Sequence, residues 1–184
     1  MNKLIIITGD LASGKSTLAS SLSNKLHIPC LTKDKMKEIL ADDIGFVDRS
    51  QNVRLSHGAV DQMLYVFEQS AKVGGDMILE ANFHEMEMAL LSSLCHKYNY
   101  QSCLIVLFAD KHLLYERFMA RVPNRHKAHL SLGLTESFEK FEQYIDESRK
   151  DDLVFPANRI DITNLSIDEV HQEAINILKK NYLL

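Results

Sequence analysis

Gly9-Asp10-Leu11-Ala12-Ser13-Gly14-Lys15-Ser16-Thr17 directly follows the apolar run Leu4-Ile5-Ile6-Ile7-Thr8. The spacing Gly-x-x-x-x-Gly-Lys-Ser, with a strand before it and a helix after it, is that of a phosphate-cradling loop. Gly9 and Gly14 permit backbone angles and close approaches that a Cβ would block. The loop turns its N–H groups toward phosphate oxygens, and the following helix adds the positive end of its dipole. Lys15 then reaches the β- and γ-phosphates, and Ser16 offers its hydroxyl to Mg²⁺. Ala12, Ser13 and Thr17 complete the cradle, Thr17 toward the α-phosphate. The bland alternative is a glycine turn before a helix. A chance match at four specified positions falls well under about one in a hundred at average residue frequencies.

Outward from this loop, apolar strand-like runs alternate with helical patterns, the signature of an α/β fold with a mostly parallel sheet. Strands are expected at residues 4–8, 28–31, 77–81, 102–108 and 160–163. Helices are expected at 14–26, 34–41, 85–98, 111–121, 136–149 and 167–180. A longer helix carries Val53, Val60, Met63, Leu64, Phe67 and Ala71 at helical spacing, and Gly74-Gly75 stops it. Residues 42–50 read as a looser segment. Ser166, with Glu169 three residues on, forms a capping box for the last helix. Ligands of such sheets bind at the carboxyl ends of the strands, so the residues just after each strand are the ones to inspect.

At 184 residues the chain is long enough for one domain with a sizeable core. Its net charge of -4 argues against a nucleic-acid partner. The three cysteines, Cys30, Cys95 and Cys103, form no C-x-x-C pair and are expected to be small buried residues in a reducing compartment. The N-terminal apolar run is too short for a signal-peptide core, and no stretch has the length of a membrane span. A cytoplasmic protein is expected, with the oligomeric state open.

After the second strand comes Asp34-Lys35-Met36-Lys37, after the third Glu80-Ala81-Asn82-Phe83, and after the fourth Arg117, Arg121 and Arg125 at four-residue intervals. With the phosphate loop, these motifs resemble the small P-loop kinases with an adenylate-kinase-like core. The closest branch holds the AAA-type small kinases, chloramphenicol phosphotransferases and polynucleotide kinase domains. The resemblance spans most of the chain. It departs from the family pattern at Lys37, where an arginine is usual, and at Glu80, where an aspartate is usual. It implies a three-layer P-loop NTPase fold, a five-stranded parallel sheet in the order 2-3-1-4-5, ATP and Mg²⁺.

The resemblance also implies roles. Asp34 is the base that takes the proton of an attacking hydroxyl, although an aspartate there also suits a helix N-cap. Glu80 holds a water of the Mg²⁺ shell. Asn82, which equally suits a turn linking strand to helix, and Lys37 meet the acceptor, and acceptor-side helices span about 34–72. A lid at about 117–134 brings Arg121 and Arg125 to the transferred phosphoryl group, with Arg117 on the nucleotide. Arg54, His57 and Asp61 share a polar stripe of the long helix that borders the acceptor, or simply faces solvent. His126 and His129 lack a third metal ligand nearby, so a polar contact within the lid is expected.

The expected activity is transfer of the γ-phosphate of Mg·ATP to a hydroxyl of a small molecule. A polynucleotide 5′-hydroxyl kinase is one alternative. A nucleotide-driven switch is another, but Phe108-Ala109-Asp110-Lys111 does not match the guanine-recognition motif of GTPases.

Overall fold

Strand β1 (Lys3–Gly9) carries four large apolar residues in succession, Leu4, Ile5, Ile6 and Ile7, none more than 1% exposed. Such a run satisfies a strand only when both sheet faces are covered. In a computed structural model of the chain, which describes residues 2–130, 133–149, 154–181 and 183, that is the arrangement. Ile5 and Ile7 point into one core with residues of helices α1 (Lys15–Leu26), α5 (Lys111–Arg121), α6 (Phe138–Ser148) and α7 (Ile167–Lys180). Leu4 and Ile6 point into the other, with α3 (Arg49–Val73) and α4 (Glu85–Lys97). Each such side chain, fully buried, contributes roughly 1.5–3 kcal/mol.

β1 pairs in parallel with β3 (Met77–Glu80) on one side and β4 (Gln101–Phe108) on the other. β2 (Cys30–Thr32) adds to β3, and β5 (Ala157–Asp161) to β4. The described residues thus form a five-stranded, all-parallel sheet in the order β2-β3-β1-β4-β5, as expected. The carboxyl ends of β1 and β3 deliver Gly9 and Glu80 to the same edge.

Two strands are displaced by more than one residue from the sequence reading. β2 starts at Cys30 because Pro29 has no N–H for the ladder, although its carbonyl accepts from Ile78 N at 2.9 Å. β5 starts at Ala157 rather than 160; only Ile160 of its five residues is buried, so this edge strand lacks the apolar run that marks β4. α3 also starts earlier than its apolar pattern, because the Asp48 carboxylate caps it by accepting from Gln51 N at 2.8 Å. Val53, read as part of that helix's apolar face, is 40% exposed. Ser166 caps α7 with Glu169 as expected. Cys95 and Cys103 are buried, while Cys30 is partly exposed.

After β2 comes α2 (Lys33–Asp43), and between α5 and α6 lie two 3-10 turns, Val122–Asn124 and Lys127–His129. A small third core joins these parts: Ala41 of α2, Leu55 of α3 and Ala128 of the second turn. Positions 131 and 132 of the expected lid lie outside the described residues.

Candidate active site

The loop at residues 9–14 has the backbone its sequence requires, for two different reasons. Gly9 has φ 128°, and a Cβ there would lie 2.0 Å from the Leu107 carbonyl oxygen of β4. Gly14 has φ 87° but open space where a Cβ would stand. Gly9 therefore answers to the neighbouring strand, and Gly14 to backbone angle alone. Ala12 also adopts a left-handed φ of 65°.

Lys15 is nearly buried, and its Nζ donates to the carbonyls of Gly9 at 3.0 Å and Asp10 at 2.6 Å. Burial lowers its pKa from the usual range, against the pull of Glu80, Asp34 and Asp10. Ser16 Oγ donates to Glu80 Oε2 at 3.1 Å. Burial raises the Glu80 pKa, with Lys15 opposing. The two groups read as metal-binding thus come together across 64 residues of sequence.

Among the described residues, Gly14 and Thr32, the caps of α1 and α2, bring no side chain to the first-turn N–H groups, whereas side chains cap α3, α5, α6 and α7. Free first-turn N–H groups, a buried ammonium and an acid–hydroxyl pair fit a triphosphate with Mg²⁺. Among the described residues no group of three or more His, Cys, Asp or Glu forms a metal cage.

Two cavities meet here. One, of about 450 Å³, lies over the phosphate loop and is lined by Ala12, Gly14, Lys15, Ser16, Thr17 and Glu80, with Arg121 and Arg125 across from them. The other, of about 420 Å³, is bounded by α2, α3, the β3–α4 loop and α6. Leu11, Lys33, Asp34, Asn82, Arg125 and His129 line both. Asp34 is not a cap: Thr32 occupies that position, and Asp34 lies in the first turn of α2. Its carboxylate is 3.6 Å from Lys33 Nζ and 4.0 Å from His129 Nδ1. Partial burial pushes its pKa up, but His129, Lys33, Lys15 and Arg125 together outweigh this and hold it below the usual carboxylate value.

The remaining expected residues divide. Asn82 and Tyr144 line the second cavity together, and among the described residues the buried Asn82 Oδ1 has no hydrogen-bond partner. Lys37 lines the second cavity, but its Nζ donates to the Ala128 carbonyl at 2.8 Å, and burial brings its pKa down to about 8. His57 is at the rim of that cavity; Arg54 is exposed and lines neither cavity. Arg117 likewise lines neither, so the structure separates it from Arg121 and Arg125. The histidines make polar contacts, but with α2 rather than within the expected lid: His126 Nε2 with Asp42 Oδ1 at 3.1 Å, His129 Nε2 with Glu38 Oε1 at 3.2 Å.

Sequence reasoning missed an ion pair beneath the loop. Asp10, only 3% exposed, accepts from Arg149 Nε at 3.1 Å and Nη2 at 2.6 Å, and Nη2 also reaches the Ala109 carbonyl at 2.7 Å. An acid inside a phosphate loop demands a compensating cation, and that was the available signal. Lys33, next to Asp34, was missed too, as was Tyr144.

Three solved structures share the architecture. A candidate kinase from Chloroflexus aurantiacus is 25% identical with a TM-score of 0.81, over 96% of this chain and 98% of that one. An APS kinase from Mycobacterium tuberculosis is 20% identical with a TM-score of 0.59, over 97% and 98%. A gluconokinase from Sinorhizobium meliloti is 14% identical with a TM-score of 0.58, over 97% and 92%. No curated protein matches the chain by sequence. An AAA domain family model matches residues 4–144, most of the chain. The chain belongs to that AAA domain family and has the fold of the small P-loop kinases.

Proposed function

We propose that the protein transfers the γ-phosphoryl group of Mg·ATP to a hydroxyl of a small molecule. The observation that carries this reading is the meeting of two cavities at Asp34. One is a phosphate-loop cavity. The other has a volume suited to a small ligand and mixes apolar walls (Val53, Val60, Phe83) with polar groups. A switch or motor that acts on water alone has no use for the second cavity. The neighbouring structures named as gluconokinase and APS kinase, the latter holding AMPPNP and APS, support a small acceptor.

In this reading residues 9–17 hold the triphosphate, with Ser16 on Mg²⁺ and Glu80 on one of its waters. The metal supplies charge neutralisation on the phosphate oxygens. Lys15 exchanges its two carbonyl partners for phosphate oxygens. The acceptor hydroxyl lies at the junction, aligned by Asn82 Oδ1 and Tyr144. Its proton passes to Asp34 as its oxygen bonds the γ-phosphorus and the bond to the β–γ bridging oxygen breaks, leaving ADP. Residues 117–134 act as a lid, with Arg121 and Arg125 meeting the charge on the transferred group.

The test is a panel of nucleosides, sugars, aminoglycosides and chloramphenicol-like alcohols, plus a 5′-hydroxyl oligonucleotide, read as ADP formed above background. Lys15→Ala abolishes both transfer and the rise in Tm caused by Mg·ATP. At a hundred times Kd that rise corresponds to about 2.7 kcal/mol. Asp34→Asn keeps the Tm rise but loses about 10²- to 10⁴-fold in rate. Full transfer by Asp34→Asn rejects the base assignment. Transfer to the oligonucleotide alone rejects the small acceptor.

A further inference from the structure

His129 is the group most closely engaged with Asp34 from another segment of the chain. It ends the turn Lys127–His129, and that turn is fixed from two directions. The Ala128 carbonyl accepts from Lys37 Nζ at 2.8 Å and from Asn52 Nδ2 at 3.0 Å. Ala128 itself is fully buried against Ala41 and Leu55. The imidazole held this way lies between two acids of α2 that are one turn apart, Asp34 and Glu38. Nε2 is 3.2 Å from Glu38 Oε1, and Nδ1 is 4.0 Å from Asp34 Oδ1. A carboxylate only accepts, so the Glu38 contact keeps the ring proton on Nε2 and leaves the Nδ1 lone pair facing Asp34.

We propose that His129 is the positioning residue that resets Asp34, receiving at Nδ1 the proton the carboxylate takes from the acceptor, with Glu38 fixing its tautomer. This rests on Asp34 being the base. The hydroxyl proton moves first to the Asp34 carboxyl and then to Nδ1, giving an imidazolium between two carboxylates. It leaves to water when the product departs. No other bond changes in the reset.

The surrounding charges suit both steps. Burial pushes the Asp34 carboxyl up, but His129 once protonated, with Lys33, Lys15 and Arg125, brings it down, so the proton is drawn off the carboxylate toward the ring. Burial, with Arg125 and Lys37, keeps the imidazole below its usual 6.5 against the pull of Asp34 and Glu38, and the His126 ring lies 6.1 Å away. The ring is therefore neutral at pH 7 and able to accept. The 4.0 Å gap is the kind that closes in a loaded site.

Two measurements on the full chain test this. Nitrogen NMR of the His129 ring is expected to give the Nε2–H tautomer at pH 7, lost in Glu38→Ala, which leaves Nε2–H without its acceptor; an Nδ1–H ring overturns the proposal. The slow hydrolysis of Mg·ATP without acceptor, followed from pH 5 to 9, gives the second. His129→Gln can still bond Glu38 but cannot take up a proton. It is expected to lower kcat about tenfold, part of the 10²- to 10⁴-fold of general-base catalysis, with KM for ATP within about twofold. It is also expected to remove the fall in rate that the wild type shows as its ring protonates. Wild-type kcat and an unchanged pH profile in His129→Gln, with His129→Ala impaired, mean a structural role and overturn the proposal. Asp34→Asn measured alongside separates the two ideas. If it hydrolyses ATP like the wild type, the base itself is wrong; if it fails while His129→Gln does not, only the reset is wrong.

Discussion

Gly9→Ala and Gly14→Ala look alike in sequence and should differ sharply in effect. At Gly9 the new Cβ would lie 2.0 Å from the Leu107 oxygen, 2.6 Å from its nitrogen and 2.8 Å from its carbon. All three are backbone atoms of β4, which pairs with β1 in register from Lys3↔Gln101 to Gly9↔Leu107. No rotamer change relieves such a contact; the two central strands must part. Overpacking of this kind costs about 1–3 kcal/mol or more, and a positive φ on a non-glycine residue adds about 1–3. A loss of roughly 3–5 kcal/mol is a large share of the 5–15 typical of a whole domain. At this chain length it lowers Tm by roughly 6–20 °C. Gly14→Ala meets no atom within 4 Å and bears only the left-handed φ, about 1–2 kcal/mol. Calorimetric or circular-dichroism melts of both variants decide the matter. Equal Tm values, or a larger loss in Gly14→Ala, would refute the claim that Gly9 is set by strand packing.

Arg149→Ala removes most of the partners of a buried carboxylate. Losing one member of a buried pair costs about 3–5 kcal/mol, and because Arg149 is 33% exposed the expected loss is nearer 2–3. A urea double-mutant cycle with Asp10→Asn should show coupling well above 0.5 kcal/mol; a smaller value rejects the pair as a clamp on the loop. Lys37 gives a pH signature. Its pKa is lowered to about 8 from 10.5 by burial, with Lys33 adding repulsion. Between those values the unfolded chain holds a proton that the folded chain has released, so stability rises with pH across the window and is independent of this group below it. From pH 8 to 10 the wild type should gain about 1–2 kcal/mol relative to Lys37→Met in urea melts. A flat difference rejects the shifted lysine.

How much of this could be read from the chain depended on how far apart the interacting groups lie. The sheet was legible because β1 and β4 are buried on both faces and say so in unbroken apolar runs. β5 was misplaced because an edge strand needs only Ile160 inside. The phosphate loop was legible because backbone N–H groups bind a constant ligand within nine consecutive residues. Its support was not: Arg149 pairs with Asp10 across 139 residues, and no local pattern encodes that. His129 had the same difficulty. Next to His126 it raised a question about metal, when its partners were two acids 91 and 95 positions earlier.

The proposed acceptor site is scattered along the chain for the same reason, carried further. Its cavity draws Lys33 and Asp34 from α2, Val53 and His57 from α3, Phe83 from the loop after β3, and Tyr144 from α6. Each of these elements is required by the fold whatever the acceptor is, and each contributes only one or two side chains to the recess. A triphosphate is recognised by a chain conformation, which a contiguous motif can specify. A small hydroxyl compound is recognised by a set of side chains from separate elements, which no contiguous motif specifies. The residues whose chemistry is common to all acceptors, a base and the group that resets it, should then be the part of this recess least free to vary. In the proposed reading the base, Asp34, sits in the first turn of α2, and His129 meets it from a turn whose Ala128 carbonyl is pinned by Lys37 and Asn52.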